Sequence, residues 1–329
     1  MQNFNSLSAN QIVDSIQNGN ITALSRAITL VESTNPKHQN KATKILEQCY
    51  KIKNNSLRIG ITGVPGVGKS TFIEALGKYY LKLNKKIAIL AVDPSSTLQG
   101  GSILGDKTRM EILASNNDVF IRPSPAGNTL GGVARNTREA ILLCETAGYE
   151  IIIIETVGVG QSEWAVHNMV DFFLLLKLAN AGDELQGIKR GIIEMADAIV
   201  INKADGVFEK QALLAKLEFE RALHLFPPKE NNWTPQVATC SALNNKGIEQ
   251  IALIMDNFFN LTKKNEYFCT RRNKQAIQWF LDTLKEGAYQ HFLNSKTTKN
   301  QIENVKNKIQ QKELHPFIAA KYLLKNTAE

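Results

Sequence analysis

A doubly wound, mostly parallel α/β sheet with helical additions at both ends is the fold this sequence predicts. Three observations carry the prediction. Seven short runs rich in Ile, Val and Leu recur between residues 57 and 240, with little polar alternation, the pattern of strands covered on both faces. Helical patterns separate most of these runs. A glycine-rich stretch joins the first run to the first of those helices.

Taken in chain order, residues 1–55 read as helix. Ser8-Ala9-Asn10-Gln11 is a capping box ahead of Ile12, Val13 and Ile16. A second helix is expected over 22–32 and a third over 41–50, with Pro36 separating them. Strands are expected at 57–62, 86–92, 118–122, 150–156, 171–178, 198–202 and 236–240. Helices are expected at 70–83, 133–147 and 206–223. Beyond residue 260 helix returns: Ile277, Phe280, Leu281, Leu284 and Ala288 share one face, as do Ile302, Val305 and Ile309. Two such helices suit an antiparallel arm whose apolar faces need the core or a second subunit. The expected organisation is a helical extension over 1–56, a sheet domain over 57–260 and a helical arm over 261–329.

Composition narrows the function classes. The chain has 329 residues, 43% of them hydrophobic, enough for a full core. No apolar run approaches the ~20 residues of a membrane span, and the start of the chain has neither a secretory nor a transit pattern; a cytosolic location is the default expectation, without a membrane role. Cys49, Cys144, Cys240 and Cys269 lie far apart, without a CxxC pair, and read as reduced, buried thiols. The net charge of +8 is uneven: residues 261–329 hold 13 basic against 6 acidic side chains, and residues 1–56 hold 6 against 3. Basic flanks suit nucleic acid, a membrane surface or an acidic protein, or are simply solvated helix faces. No aromatic and glycine signature of RNA binding accompanies them, so no nucleic-acid partner is expected.

Gly63-Val64-Pro65-Gly66-Val67-Gly68-Lys69-Ser70, followed by Thr71, matches G-x-x-x-x-G-K-[ST] between a strand and a helix. Glycines let backbone N–H groups turn inward around phosphate oxygens, and the helix N-terminus adds partial positive charge. Lys69 should reach the β- and γ-phosphates and the Ser70 hydroxyl should bind Mg²⁺. The base is read elsewhere. Asn202-Lys203-Ala204-Asp205 follows an apolar strand, and the Asp205 carboxylate can accept from guanine N1–H and the 2-amino group, donors that adenine lacks in that arrangement. Ser241-Ala242-Leu243 follows the next strand, where a backbone N–H can meet guanine O6. GTP or GDP with Mg²⁺ is the expected ligand set.

Three carboxylates between these motifs suit magnesium and water: Asp93, Asp106 and Glu155. Glu155-Thr156-Val157-Gly158 resembles the D-x-x-G switch of GTPases with Glu in place of Asp. No glutamine directly follows Gly158; Gln161 comes later. The polar, glycine-punctuated stretch 179–190 either moves Lys189 toward the phosphates or is an ordinary strand-to-helix connection. The five histidines do not cluster, and none is read as a ligand or base.

Together the blocks GVPGVGKST, AVDPSS, GGSILGDKTRM, RPSPAGNTLGGVARNT, ETVGVGQSE, GDELQGIKRG, MAD and NKADG resemble the MeaB-type GTPases, the methylmalonyl-CoA mutase-associated group of P-loop GTPases. The resemblance covers roughly residues 55–261 by motif and the flanks by length. It implies a homodimer formed through the C-terminal arm. It implies a cobalamin-dependent acyl-CoA mutase as partner, with methylmalonyl-CoA mutase the first expectation, and a GTPase cycle that gates adenosylcobalamin delivery and protects or replaces inactivated cofactor. It places Lys189 in a third switch loop that supports hydrolysis, and Asp93, Asp106 and Glu155 on magnesium and switch positions. The family also carries an older label as a transport-related kinase.

Other classes compete. A P-loop kinase or ATPase acting on a transport-related protein would need an acceptor pocket, and the Asp205 selector argues against ATP. A metal-insertion GTPase should carry a His-rich or CxxC site, and a signal-recognition GTPase a Met-rich domain; this chain has neither.

Overall fold

The computed structural model describes residues 4, 7–33, 35–92, 110–124, 130–156, 162–179, 190–294 and 296–325. Strands β1 (Leu57–Gly63), β2 (Ile87–Val92), β3 (Val119–Ser124), β4 (Ile151–Thr156), β5 (Phe172–Leu178), β6 (Ala198–Asn202) and β7 (Gln236–Thr239) form one sheet. Its order is β3-β2-β4-β1-β5-β6-β7, and every recorded pairing is parallel. All seven expected strands are present. Parallel neighbours bring their C-terminal ends to one edge, and the order sets β4 and β5 on either side of β1.

Uniformly apolar strands still have two distinct faces, because successive side chains point opposite ways. Ile59, Ile61, Phe172, Leu174 and Leu176 face a cluster with Phe72, Ile73 and Leu76 of α4 (Lys69–Lys82) and Met255, Phe258 and Phe259 of α10 (Ile248–Lys264). Leu175, Ile199, Ile201 and Val237 face α8 (Arg190–Met195) and α9 (Glu209–Leu223) through Ile193, Ala212 and Phe219. Helices therefore cover both faces, as a parallel sheet requires. At Gly60 a Cβ would lie 2.9 Å from Phe173 Cδ2, so only glycine lets that layer approach β1. The remaining elements of the domain are α5 (Glu111–Ala114), α6 (Leu130–Thr146) and α7 (Ser162–His167). Residues 206–208 form a 3-10 turn that leads into α9 rather than its first turn.

The N-terminal helices are α1 (Ala9–Gln17), α2 (Ile21–Glu32) and α3 (Pro36–Tyr50). The capping box is made: Gln11 N donates to Ser8 Oγ at 3.3 Å and Ser8 N to Gln11 Oε1 at 2.9 Å. Pro36 opens α3 instead of merely preceding it, with Asn35 as N-cap; a proline at the first helical position loses no hydrogen bond. Helices α2 and α3 pack on α6, and Arg122 of β3 pairs with Glu32 of α2.

A buried ionic cluster sits at the N-terminal edge of the sheet. Arg272, in the first turns of α11 (Tyr267–Asn294), grips Asp171 at 2.7 and 2.9 Å and donates to Ser56 O at 2.7 Å. Arg58 of β1 pairs with Glu145 of α6 at 2.7 Å and gives its backbone N–H to Asp171 at 2.9 Å. Burial alone would raise the Asp171 carboxyl, but Arg272 and then Arg58 hold it below its usual range.

The chain divides into two compact units, Met1–Gln275 and Ala276–Glu329. The expected boundary at residue 260 falls inside α10. In the second unit α12 (Lys296–Gln310) packs against α13 (Pro316–Lys325), a helix the sequence reading did not anticipate; Thr298, Ala319 and Leu323 are buried there. Ile277, Phe280 and Leu284 of α11 are more than half exposed. Cys49, Cys144 and Cys240 are buried as expected, but Cys269 is exposed on α11, whose first turns present it to solvent.

Candidate nucleotide site

The glycine-rich loop leaves β1 at Gly63 and enters α4 at Lys69. Val67 is fully buried and pins the loop to the core, while Pro65 and Gly66 are exposed. Gly68 caps α4 with φ +92°, and a Cβ there would meet Asn202 Nδ2 at 2.8 Å. Lys69 Nζ donates to Gly63 O at 2.8 Å and Val64 O at 3.2 Å, so its ammonium is held across the loop. Ser70 lies partly buried in the first turn of α4 and Thr71 is exposed beside it. Lys69, Ser70 and the α4 N-terminus thus gather positive potential and a hydroxyl where the loop opens.

The residues expected to read the base are tied to this loop by their own side chains. Asn202 Nδ2 donates to Val67 O at 2.8 Å, and Asn202 Oδ1 accepts from Ala242 N at 3.2 Å and Cys240 Sγ at 3.3 Å. Lys203, at φ +59°, donates from Nζ to Gly66 O at 2.8 Å. Ala204 N donates to Cys240 O at 2.9 Å. Asp205 accepts from Ser241 Oγ in a short contact and from Asn244 Nδ2 at 3.4 Å. Leu243 is exposed at the tip of the same loop. Burial pushes the Cys240 thiol up to about 12, so it remains a neutral donor to Asn202 rather than a nucleophile.

On the other side of β1, Glu155 is buried near the end of β4, opposite Ile61 of β1 and Ala91 of β2. Thr156 Oγ1 donates to Thr62 Oγ1 at 2.8 Å, joining the ends of β4 and β1. Asp93, Asp106, Gln161 and Lys189 lie outside the described residues. No cluster of three or more His, Cys, Asp or Glu occurs among the described residues. Mg²⁺ needs no such cluster: it takes oxygen donors and keeps waters, and the Ser70 hydroxyl and Glu155 carboxylate are of that class.

Three residues at this edge escaped the sequence reading. Lys177 of β5 is almost fully buried, one position beyond Leu176, the residue paired with Gly63. A lysine inside an apolar strand was the available signal. Asn244 and Cys240 carried no signal, because their roles depend on contacts between residues 39 and 38 positions apart in sequence.

Residues 24–297 match the family model described as methylmalonyl Co-A mutase-associated GTPase MeaB. A probable GTPase of Mycobacterium bovis is 45% identical over 313 residues, covering 95% of this chain and 93% of its own. The GTPase ArgK of Escherichia coli is 45% identical over 276 residues, covering 84% of this chain and 83% of its own. The mouse mitochondrial methylmalonic aciduria type A homolog is 43% identical over 317 residues, covering 93% and 76%. A crystal structure titled LAO/AO transport system kinase superposes with a TM-score of 0.76 at 34% identity over 98% of both chains. With the glycine-rich loop stitched to the Asn202–Asp205 loop on this sheet, and with a match across most of its length, the chain belongs to the MeaB family and is a guanine-nucleotide-binding GTPase.

Proposed function

We propose that this GTPase acts as a chaperone for a cobalamin-dependent acyl-CoA mutase, with methylmalonyl-CoA mutase the first candidate. GTP binding and hydrolysis would gate loading of adenosylcobalamin into the mutase and protect or renew it there. The observation that carries this reading is the family match over residues 24–297, whose description pairs the GTPase with that mutase. The name of the mouse relative, a homolog of methylmalonic aciduria type A, points the same way.

In this reading Gly63, Val64, Pro65, Gly66, Val67 and Gly68 wrap the phosphates and Lys69 exchanges its loop carbonyls for phosphate oxygens. Asp205 takes the guanine N1–H and 2-amino donors, held in place by Ser241 and Asn244. Asn202 and Lys203 brace the base loop against the phosphate loop, and Ala242 and Leu243 flank the base. Ser70, Glu155, Asp93 and Asp106 are the candidate oxygen ligands for Mg²⁺, which would supply charge neutralisation to the phosphates. Lys189 is assigned to a loop that completes the hydrolytic site on the mutase. For the cycle to signal, GTP must bind one arrangement of these loops better than the other, and the mutase must sense the difference. The exposed Ile277, Phe280 and Leu284 face of α11 is assigned to a homodimer contact. No helix among the described residues is long and apolar enough to cross a membrane.

The test is GTP turnover with and without the acyl-CoA mutase of the same organism. Stimulation that is lost in Lys189→Ala supports the chaperone reading. No stimulation and no complex overturn it. ATP binding as tight as GTP binding would instead favour a kinase or ATPase of the kind named in the LAO/AO structure.

A further inference from the structure

A groove of about 510 Å³ lies on the N-terminal helices, between the start of α1 and one side of α3. It is lined by Leu7, Ser8, Ala9 and Asn10 from the first and by Lys37, Asn40, Lys41, Lys44 and Gln48 from the second. Those α3 positions follow the spacing of a single helical stripe, while Ala42, Ile45 and Cys49 on another side of the helix are buried. The lining therefore carries three cations and no carboxylate. Among the described residues neither Lys37 nor Lys44 has an acidic partner. Lys41 is occupied in part, donating to Phe4 O at 3.3 Å.

We infer that this groove docks an extended acidic segment on the surface of the partner mutase; the inference rests on the chaperone reading above. From Lys37 to Gln48 the stripe runs about 16 Å, the span of roughly five extended residues. Lys37 and Lys41 are about 6 Å apart along the helix axis, close to the spacing of alternate side chains in an extended strand, about 6.6 Å. Gln48 Nε2 donates to Asn10 Oδ1 across the groove, which leaves the Asn40 amide, Asn10 Nδ2 and Gln48 Oε1 to pair with a peptide backbone, and Leu7 and Ala9 give one end an apolar lining. A lipid surface is too flat to enter a groove. A nucleic acid would leave its bases without a stacking partner, since no lining residue is aromatic.

The experiment measures the affinity of the full-length protein for the purified mutase, for Lys37→Glu/Lys44→Glu and the milder Lys37→Gln/Lys44→Gln against wild type. Both sites are exposed and lie outside the nucleotide loops, so basal GTP turnover should be unchanged and reports correct folding. Charge reversal should weaken the complex about tenfold or more and neutralisation by less, with the wild-type affinity falling as salt rises. A wild-type complex that neither variant weakens by as much as twofold overturns the groove assignment alone. Absence of a wild-type complex overturns the chaperone reading together with it. Loss of single-stranded DNA or anionic-vesicle binding in the variants, with the mutase complex intact, would hand the groove to another anion and also overturn the inference.

Discussion

At Gly68 a side chain would be strained by the +92° φ and would meet the Asn202 amide, the group that ties the base loop to Val67 O. Gly68→Ala should therefore weaken GTP binding by on the order of tenfold or more, as read by calorimetric titration, while leaving the thermal transition nearly in place. Affinity equal to wild type would mean that the tie is dispensable. Asp205 makes a sharper case, because in the proposed role its carboxylate accepts two donors from the base. Asp205→Asn replaces one acceptor with a donor, which suits the carbonyl of xanthine; competition between GTP and XTP should shift toward XTP by on the order of a hundredfold. Unchanged preference for GTP would remove Asp205 from the base-reading role. Both motifs were legible in the sequence as spacing around glycines and an Asn-Lys-x-Asp run. The stitching between them was not, because hydrogen bonds such as Asn202 to Val67 join residues 135 positions apart.

At the scale of elements, the root of α11 depends on buried charge. Asp171 is held by Arg272 and Arg58 with almost no water, so Arg272→Met leaves a buried carboxylate short of its main partner. Urea unfolding of that variant should show a loss of about 3–5 kcal/mol. His167, at the end of α7, lies edge-on to Phe173 and beside Trp164, and shares a 3.3 Å contact with Arg271. Burial, and next the Arg271 charge, push it down to about 4. Its unfolded form binds a proton near pH 6.5 and its folded form does not, so this group's stabilisation is complete above that pH. The contribution is lost as pH falls from about 6.5 to about 4, by on the order of 3 kcal/mol. Asp171 acts lower: its depressed carboxyl stabilises fully above about pH 4 and loses that contribution on further acidification. Half-buried Glu32 and buried Glu139 are raised and act in the opposite direction, so the difference between wild type and His167→Gln isolates the histidine. That difference in unfolding free energy should change between pH 6.5 and 4 and be flat above; a flat profile throughout would show that His167 is not buried neutral. Element identities were readable from apolar runs and caps. Pro36 was misread as a separator because a proline that ends one helix and one that begins another look alike until the N-cap at Asn35 is seen.

For the whole molecule, a helical stripe of exposed apolar side chains lies on the second compact unit. Phe280 and Leu284 are exposed at 62% and 56%, one turn apart on α11. Single large apolar residues in water need no explanation, but a helical stripe of them does. Phe280→Asp/Leu284→Asp should convert a dimer to a monomer in sedimentation velocity with GTP affinity retained. A wild-type protein that sediments as a monomer at tens of micromolar would dismiss the dimer assignment. The same basic flanks that left several partners open in the sequence resolve locally into the Lys37, Lys41 and Lys44 stripe, which tertiary packing turns into a groove by setting α1 beside it.

The sequence by itself determined the strand and helix alternation and the family, and it supplied the glycine-rich and Asn-Lys-x-Asp motifs, since each is written in local periodicity or in short contiguous stretches. Only the tertiary structure decided the strand order that sets β4 and β5 beside β1, the clamp that Asn202 and Lys203 place on the phosphate loop, and the buried lysine at position 177 beside it. It also decided the Arg272–Asp171 anchor. These depend on pairings between segments far apart in the chain, where a residue's burial and partner are fixed by the packing of the whole sheet and by nothing in its own neighbourhood.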